Sequence, residues 1–584
     1  MIASRSAGPH YRVEAADPAA HLFQVTLTVP QPEAAQRVSL PAWIPGSYLL
    51  REFAKHLQKL GARQDGKPVT VHQLDKATWQ VDCVPSSPLV LTYEVYAFDN
   101  SVRTAWLDSQ RGFFNGTSLC LKVHGQEKSP QELELVAPRA YPNWEAATGL
   151  EPLKVGKRGF GTYGAADYDE LVDCPVELGA FFSAEFRAGG VPHRLVVAGA
   201  TEAFDSQRLV ADTQKICEAQ IRFWHDRKRP PFRQYVFMLN TVDDGYGGLE
   251  HRNSTALIAS RRDLPRVGDT RLSDGYTTLL GLISHEYFHT WNVKRLRPAE
   301  FAHYDYAQEN YSQLLWFFEG FTSYYDDLLL RRAGLIDDAT YLKLLNKTAN
   351  QVLQTPGREV QSVAQASFDA WVKYYRQDEN TANATVSYYT KGALVALCFD
   401  LTLRLEGHAT LDHVMRALWL RCKAGPMAEA DFAAVLKELG GRAFTRELAS
   451  WVHGTRELPL KDLLERHGVA VLEEPAQLQQ RLGIRATESS GVQLKTVLRG
   501  GAAEQAGLAA GDEWLAVEVG GQAWRLAKLD DLLLYAGTHK KVTALVARDR
   551  RILRRELVLP AGVTTWRLVL RDAARVQAWL GPQH

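Results

Sequence analysis

Along the first 170 residues, apolar and polar positions alternate in short runs. HLFQVTLTVP, KPVTVHQL, ATWQVDC and LVLTYEVYAF are rich in β-branched and aromatic residues and are separated by Gly, Pro and Asp. Patterning with a period of two puts one face of each strand on a core, so an all-β N-terminal domain is expected over residues 1–170. HRLVVAGA and QYVFMLN then read as strands on either side of a helix near 203–227. From about residue 270 the apolar spacing becomes helical, in TTLLGLISHEYFHTWNV, SQLLWFFEGFTSYYDDLLLRRAG, DATYLKLLNKTANQVLQ and TKGALVALCFDLTLRLEG. Residues 171–470 are therefore expected to form an α+β domain that is mostly helical. Near 470 the text changes again: SSGVQLKTVLRGGAAEQAGLAAGDEWLAVEVGG is short strands, glycine turns and one small helix. A third domain is expected over 471–584, with its end, TTWRLVLRDAARVQAWLG, as one more strand and an amphipathic helix packed on it. The fold class predicted is multidomain α+β.

Composition narrows the partners. Of 584 residues, 46% are hydrophobic and 23% charged, and the formal net charge is +1. That balance gives no reason to expect nucleic acid or an anionic membrane as the main partner. The N-terminus has no apolar run of signal-peptide length and no later segment is long and apolar enough to span a bilayer, so a cytoplasmic protein is expected. Six scattered cysteines without a Cys-x-x-Cys pair read as reduced thiols.

The chemistry concentrates in SHEYFHTWNVKRLRP, residues 284–298. Residues four apart share a helix face, so His285 and His289 can aim their imidazoles at one point, with Glu286 beside the first. Zinc suits such a pair, because it takes nitrogen and oxygen ligands tetrahedrally and keeps a position for water when catalytic. A third ligand is needed, and Glu319 in LLWFFEGFTSYY is the better candidate. A glutamate among Trp316, Phe317, Phe318 and Phe321 is costly to bury without a partner such as a metal. The alternatives are partial exposure or an ion pair with an arginine such as Arg295. Trp291, Asn292, Lys294, Arg295 and Arg297 are expected to cap and tether the end of this helix.

HEYFHTWNVKRLRP, FEGFTSYYDD, GYGGLEH (245–251) and WIPGSYLLREF (43–53) together resemble the glycyl aminopeptidase family of zinc peptidases, within the gluzincin clan. The resemblance covers most of the chain and implies a β N-terminal domain, a thermolysin-like catalytic domain and a C-terminal PDZ domain. It places one zinc on His285, His289 and Glu319, with Glu286 as general base. GGLEH looks like the exopeptidase motif of that clan, in which the glutamate, here Glu250, holds the substrate's α-ammonium. Gly247 and Gly248 before it let backbone run beside a peptide. SYYTKGALV resembles the clan's Tyr-x-Lys-Gly segment and picks Tyr389, with Tyr388 as neighbour, to hydrogen-bond the oxyanion. His251 is placed to orient Glu250, while WIPGSYLLREF is read as a wall of the cleft without chemistry.

RLGIRA (481–486) resembles the carboxylate-binding loop of a PDZ domain, although a second glycine is missing, and AAEQAGLAAGDEWLAVEVGG matches the rest of that domain. A peptide C-terminus in its groove is a possible partner beside the peptide substrates. The expected activity is zinc-dependent removal of N-terminal residues, with a preference for Gly or Ala implied by the resemblance alone. Its rivals are a zinc endopeptidase or oligopeptidase with the same centre, and a PDZ scaffold without activity.

Overall fold

The computed structural model describes residues 8–581. The chain divides into two compact units, Met1–Asn310 with Cys422–Met427, and Tyr311–Arg421 with Ala428–His584.

The first unit begins as sheet. An eight-stranded sheet has His10–Asp17, Leu22–Val29 and Leu89–Tyr96 near its centre. The alternation read from HLFQVTLTVP is realised here: Phe23, Val25, Leu27 and Val29 are fully buried while the residues between them are half-buried. Two four-stranded sheets complete this mostly β region. A five-stranded sheet follows, made of β1 (Phe182–Ala188), β2 (Val191–Ala198), β3 (Tyr235–Val242), β4 (Tyr246–Glu250) and β5 (Ser254–Ser260), in the order β1-β2-β3-β5-β4. Strands β2, β3 and β5 run parallel, whereas β4 returns antiparallel to β5 and forms an edge. Helices α1 (Ser206–His225) and α2 (Asp274–Phe288) pack together, tied where the Gln220 amide donates to the Ser284 carbonyl at 2.7 Å. Both start on side-chain caps, Asp205 and Ser273, which accept from backbone N–H groups of the first turn.

The second unit is helical first, with α3 (Gly320–Arg332), α4 (Asp338–Leu353) and α5 (Thr390–Glu406). The segment SQLLWFFEGFTSYY, expected as one helix, breaks at Glu319 between a single turn, Leu315–Phe318, and α3. Backbones crowd there: a Cβ on Gly320 would lie 2.5 Å from the Gly392 α-carbon, and one on Gly392 2.6 Å from the Trp316 carbonyl. Only glycine at both positions lets α3 and α5 approach so closely.

A six-stranded sheet lies nearer the C-terminus, around a core that includes Leu482, Ile484, Leu494, Trp514, Val517 and Leu557. One of its edge strands is β6 (Ile484–Thr487). The tail departs from expectation. Strand Thr564–Leu570 pairs with Val469–Pro475 rather than with this sheet, and helix α6 (Ala573–Leu580) packs on the helical region. There the Trp579 indole donates to the Tyr324 hydroxyl at 3.2 Å and meets the Tyr341 ring. The amphipathic face is real, but its partner is an aromatic cluster more than 200 residues upstream, which no local pattern encodes. Among the described residues no helix is long and apolar enough to cross a membrane.

Candidate metal centre

His285 and His289 end helix α2, and their Nε2 atoms stand 3.1 Å apart. The Nδ1–H of His289 donates to the Asn292 carbonyl at 2.8 Å, which leaves Nε2 with its lone pair facing His285. Two nitrogens bound to one tetrahedral zinc at about 2.0–2.1 Å stand about 3.4 Å apart, so the pair is held in ligand geometry by the protein itself. The turn that supplies Asn292 is strained: buried Val293 has φ 134°, a region that β-branched residues avoid. The Lys294 N–H returns to the His289 carbonyl at 3.0 Å, and the Trp291 indole donates to His225 Nε2 at 2.7 Å. The basic tail therefore does tether the helix end, as expected.

What it tethers to is Asp173. Lys294 Nζ lies 2.6 Å from this buried carboxylate, Arg252 Nε 3.0 Å and His251 Nδ1 3.3 Å. Burial pushes the Asp173 pKa up, but Lys294, His251 and Arg252 outweigh it and hold the group well below the usual carboxylate range. Burial likewise opposes the charge on Lys294, and Asp173 restores it, leaving its pKa raised. Arg295 directs its donors at the carbonyls of Thr290, Arg252 and Pro231. Asp173 is a site residue that the sequence did not announce; DELVDCP looks like any polar loop.

The exopeptidase-like segment is β4. Glu250 is 4% exposed, and an oxygen of it, an oxygen of Glu286 and a nitrogen of His289 lie within 4.8 Å of one another. A Cβ on Gly46 would fall 2.5 Å from both Glu250 oxygens, and Gly46 has φ 91°. WIPGSYLLREF is thus more than a wall, because its glycine lays bare backbone against this carboxylate. A Cβ on Gly248 would fall 2.1 Å from Glu286 Oε1, and one on Gly247 3.6 Å from Arg103 Nη1. His251 turns away to Asp173, fixing the backbone just after Glu250.

Glu319, at the break before α3, is 2% exposed. Tyr389 immediately precedes α5, its hydroxyl 3.4 Å from that of Tyr375. Burial and then the Glu319 carboxylate push the Tyr389 pKa well above the phenol range, so the hydroxyl keeps its proton. Tyr388 is fully buried and stacks on Tyr389. The His285–His289 nitrogen pair suits zinc, and the Glu286 carboxylate beside His289 could accept a proton.

Fold and donor set define a zinc metallopeptidase. Residues 10–180 match the model of the Peptidase M61 N-terminal domain, and 278–395 that of M61 glycyl aminopeptidase. A solved aminopeptidase N family protein from Idiomarina loihiensis is 38% identical, with 98% of this chain and 100% of that one covered at a TM-score of 0.93. The chain belongs to the M61 glycyl aminopeptidase family. Looser likenesses are an M1 zinc metallopeptidase from Deinococcus radiodurans (16% identity, 78% and 94% covered, TM-score 0.47) and Legionella pneumophila aminopeptidase A (11%, 98% and 60%, 0.48). Among curated proteins none matches.

Proposed function

We propose that this peptidase is an aminopeptidase, with His285, His289 and Glu319 holding one zinc ion per chain. The observation that carries the reading is Glu250. Its carboxylate is nearly buried beside Glu286 and shares the charge of Lys294 at longer range, and among the described residues no side-chain hydrogen bond or contact ion pair engages it. Such a group calls for a cation from outside, and a peptide's α-ammonium placed there sets the cleaved bond one residue away.

Zinc bound at this site would lower the pKa of its water towards about 7 and polarise the scissile carbonyl. Glu286 takes the water's proton and returns it to the leaving amine. Tyr389 donates its hydroxyl to the oxyanion as it forms. Gly247 and Gly248 put no side chain between β4 and a peptide backbone. A preference for Gly or Ala as the first residue belongs to this proposal and rests on the family. So does a cytoplasmic setting, with which the absence of disulfides among the six cysteines agrees.

The C-terminal module is proposed to be a PDZ domain that takes a peptide C-terminus along β6. Support comes from the place of β6 at a sheet edge, directly after Gly483 in left-handed conformation (φ 70°).

The test is mass spectrometry of matched free and N-acetylated peptides. Stepwise loss from free N-termini supports the proposal; cleavage of acetylated peptides at internal bonds makes the enzyme an endopeptidase.

A further inference from the structure

Arg103 lies in a loop of the N-terminal β region that reaches β4. Its Nη2 donates to the Gly248 carbonyl at 3.2 Å. Its Nε is buried without a hydrogen-bond partner, and among the described residues no carboxylate pairs with the guanidinium. Nearby Arg111 shows the contrast, since Glu177 grips it through two bonds of 2.6 and 2.7 Å. Arg332 and Arg404 also carry an orphan nitrogen, but each has a buried aspartate beside it. The loop is firmly held: the Asn115 amide donates to the carbonyls of Val102 and Thr104, and Asn240 of β3 donates to Asn100 Oδ1 at 2.8 Å. A cation fixed in place, partly dehydrated and without a counter-ion is costly unless an anion arrives.

The order of groups along β4 says which anion. Glu250 stands at one end, Glu286 lies against Gly248, and Arg103 reaches Gly248 and Gly247. A peptide laid antiparallel along this edge with its ammonium at Glu250 runs back towards Tyr246 at about 3.3 Å per residue. Its first carbonyl then falls at Glu286 and its second residue at Arg103. We propose that Arg103 binds the free α-carboxylate of the leaving residue, which makes the enzyme select dipeptides. The proposal rests on the aminopeptidase reading, with Glu250 as ammonium anchor.

The test compares kcat/KM of the zinc-loaded full chain for Ala-Ala, Ala-Ala-amide and Ala-Asp-amide, in the wild type, Arg103→Gln and Arg103→Lys. The wild type is expected to favour the free acid by about tenfold or more, Arg103→Lys to keep part of that ratio, and Arg103→Gln to lose it to within about twofold. Each ratio is taken within one protein, so a loss of folded enzyme cancels. A wild type without the preference overturns the proposal whatever the variants do, as does a preference that survives in Arg103→Gln. Equal rates on Ala-Asp-amide and Ala-Ala also overturn it, because the site would then read a side-chain carboxylate. If none of the three is cleaved while acetylated peptides are cut internally, the aminopeptidase reading itself has failed; cleavage of all three at equal rates sinks only the role of Arg103.

Discussion

Gly248 lies with its α-carbon against the carboxylate of Glu286, so close that a Cβ would meet Oε1 at 2.1 Å. The obstacle is the end of a flexible side chain, so the Gly248→Ala protein folds by swinging Glu286 aside. Its cost falls on activity: kcat/KM is expected to drop about 10²-fold or more, as when a general base is displaced. Zinc content should stay near one per chain and the unfolding free energy within about 1 kcal/mol of wild type. A fully active Gly248→Ala enzyme would show that Glu286 works from another position.

Separating the roles of the ligands and the base needs two variants. Glu319→Ala should lose zinc at a chelator concentration that the wild type resists, because two imidazoles alone do not close the site. Glu286→Gln keeps shape and hydrogen bonding but cannot take a proton, so it should retain zinc while the rate falls about 10²- to 10⁴-fold. Metal analysis alongside single-turnover rates checks both; full zinc occupancy in Glu319→Ala removes that residue from the ligand set.

The pairing of His285 with His289 was legible because four residues make one helical turn, and the spacing alone predicts convergence of the two rings. The alternating strands of the N-terminal region were legible for a similar reason, since the period of two survives into the buried face of Leu22–Val29. Asp173 was not legible. It meets Arg252 from 79 positions away, and nothing in its neighbours marks a buried anion. Arg103, 145 positions before Gly248, is equally silent. Gly46 was visible only as a turn former; that its missing Cβ makes room for Glu250 depends on a contact between distant segments.

Asp173 carries a pH prediction. Its folded pKa lies below its ordinary value, so as pH falls the unfolded chain binds a proton first. The stability it contributes is therefore whole above about pH 4 and is lost as pH falls through the lowered folded pKa. Replacing it with asparagine leaves Lys294 buried without its anion, which should cost about 3–5 kcal/mol at pH 7. The gap between wild type and Asp173→Asn in urea unfolding should narrow from pH 5 to pH 3. A gap that stays constant over that range would mean that packing, not charge, is what the substitution removes.

On the proposed PDZ reading, the strand that would take the peptide, β6, is partly occupied by its own chain. The Ala486 N–H of β6 donates to Gln479 Oε1 at 3.1 Å, and the Gly483 N–H to the Gln480 carbonyl at 3.2 Å. An incoming peptide that adds to β6 has to displace at least the first of these, since a strand edge offers each N–H once. Gln479→Ala frees that donor without touching the buried core, because Leu478 and Leu482 carry the packing of the short helix. Peptides ending in a free carboxylate should therefore bind Gln479→Ala about tenfold more tightly than the wild type, a gain on the scale of one unopposed hydrogen bond. Fluorescence anisotropy of labelled peptides with free and amidated C-termini measures it. If removing Gln479 leaves affinity unchanged, β6 is not where the peptide lies; if amidation does not weaken binding, the turn at Gly483 is not a carboxylate site.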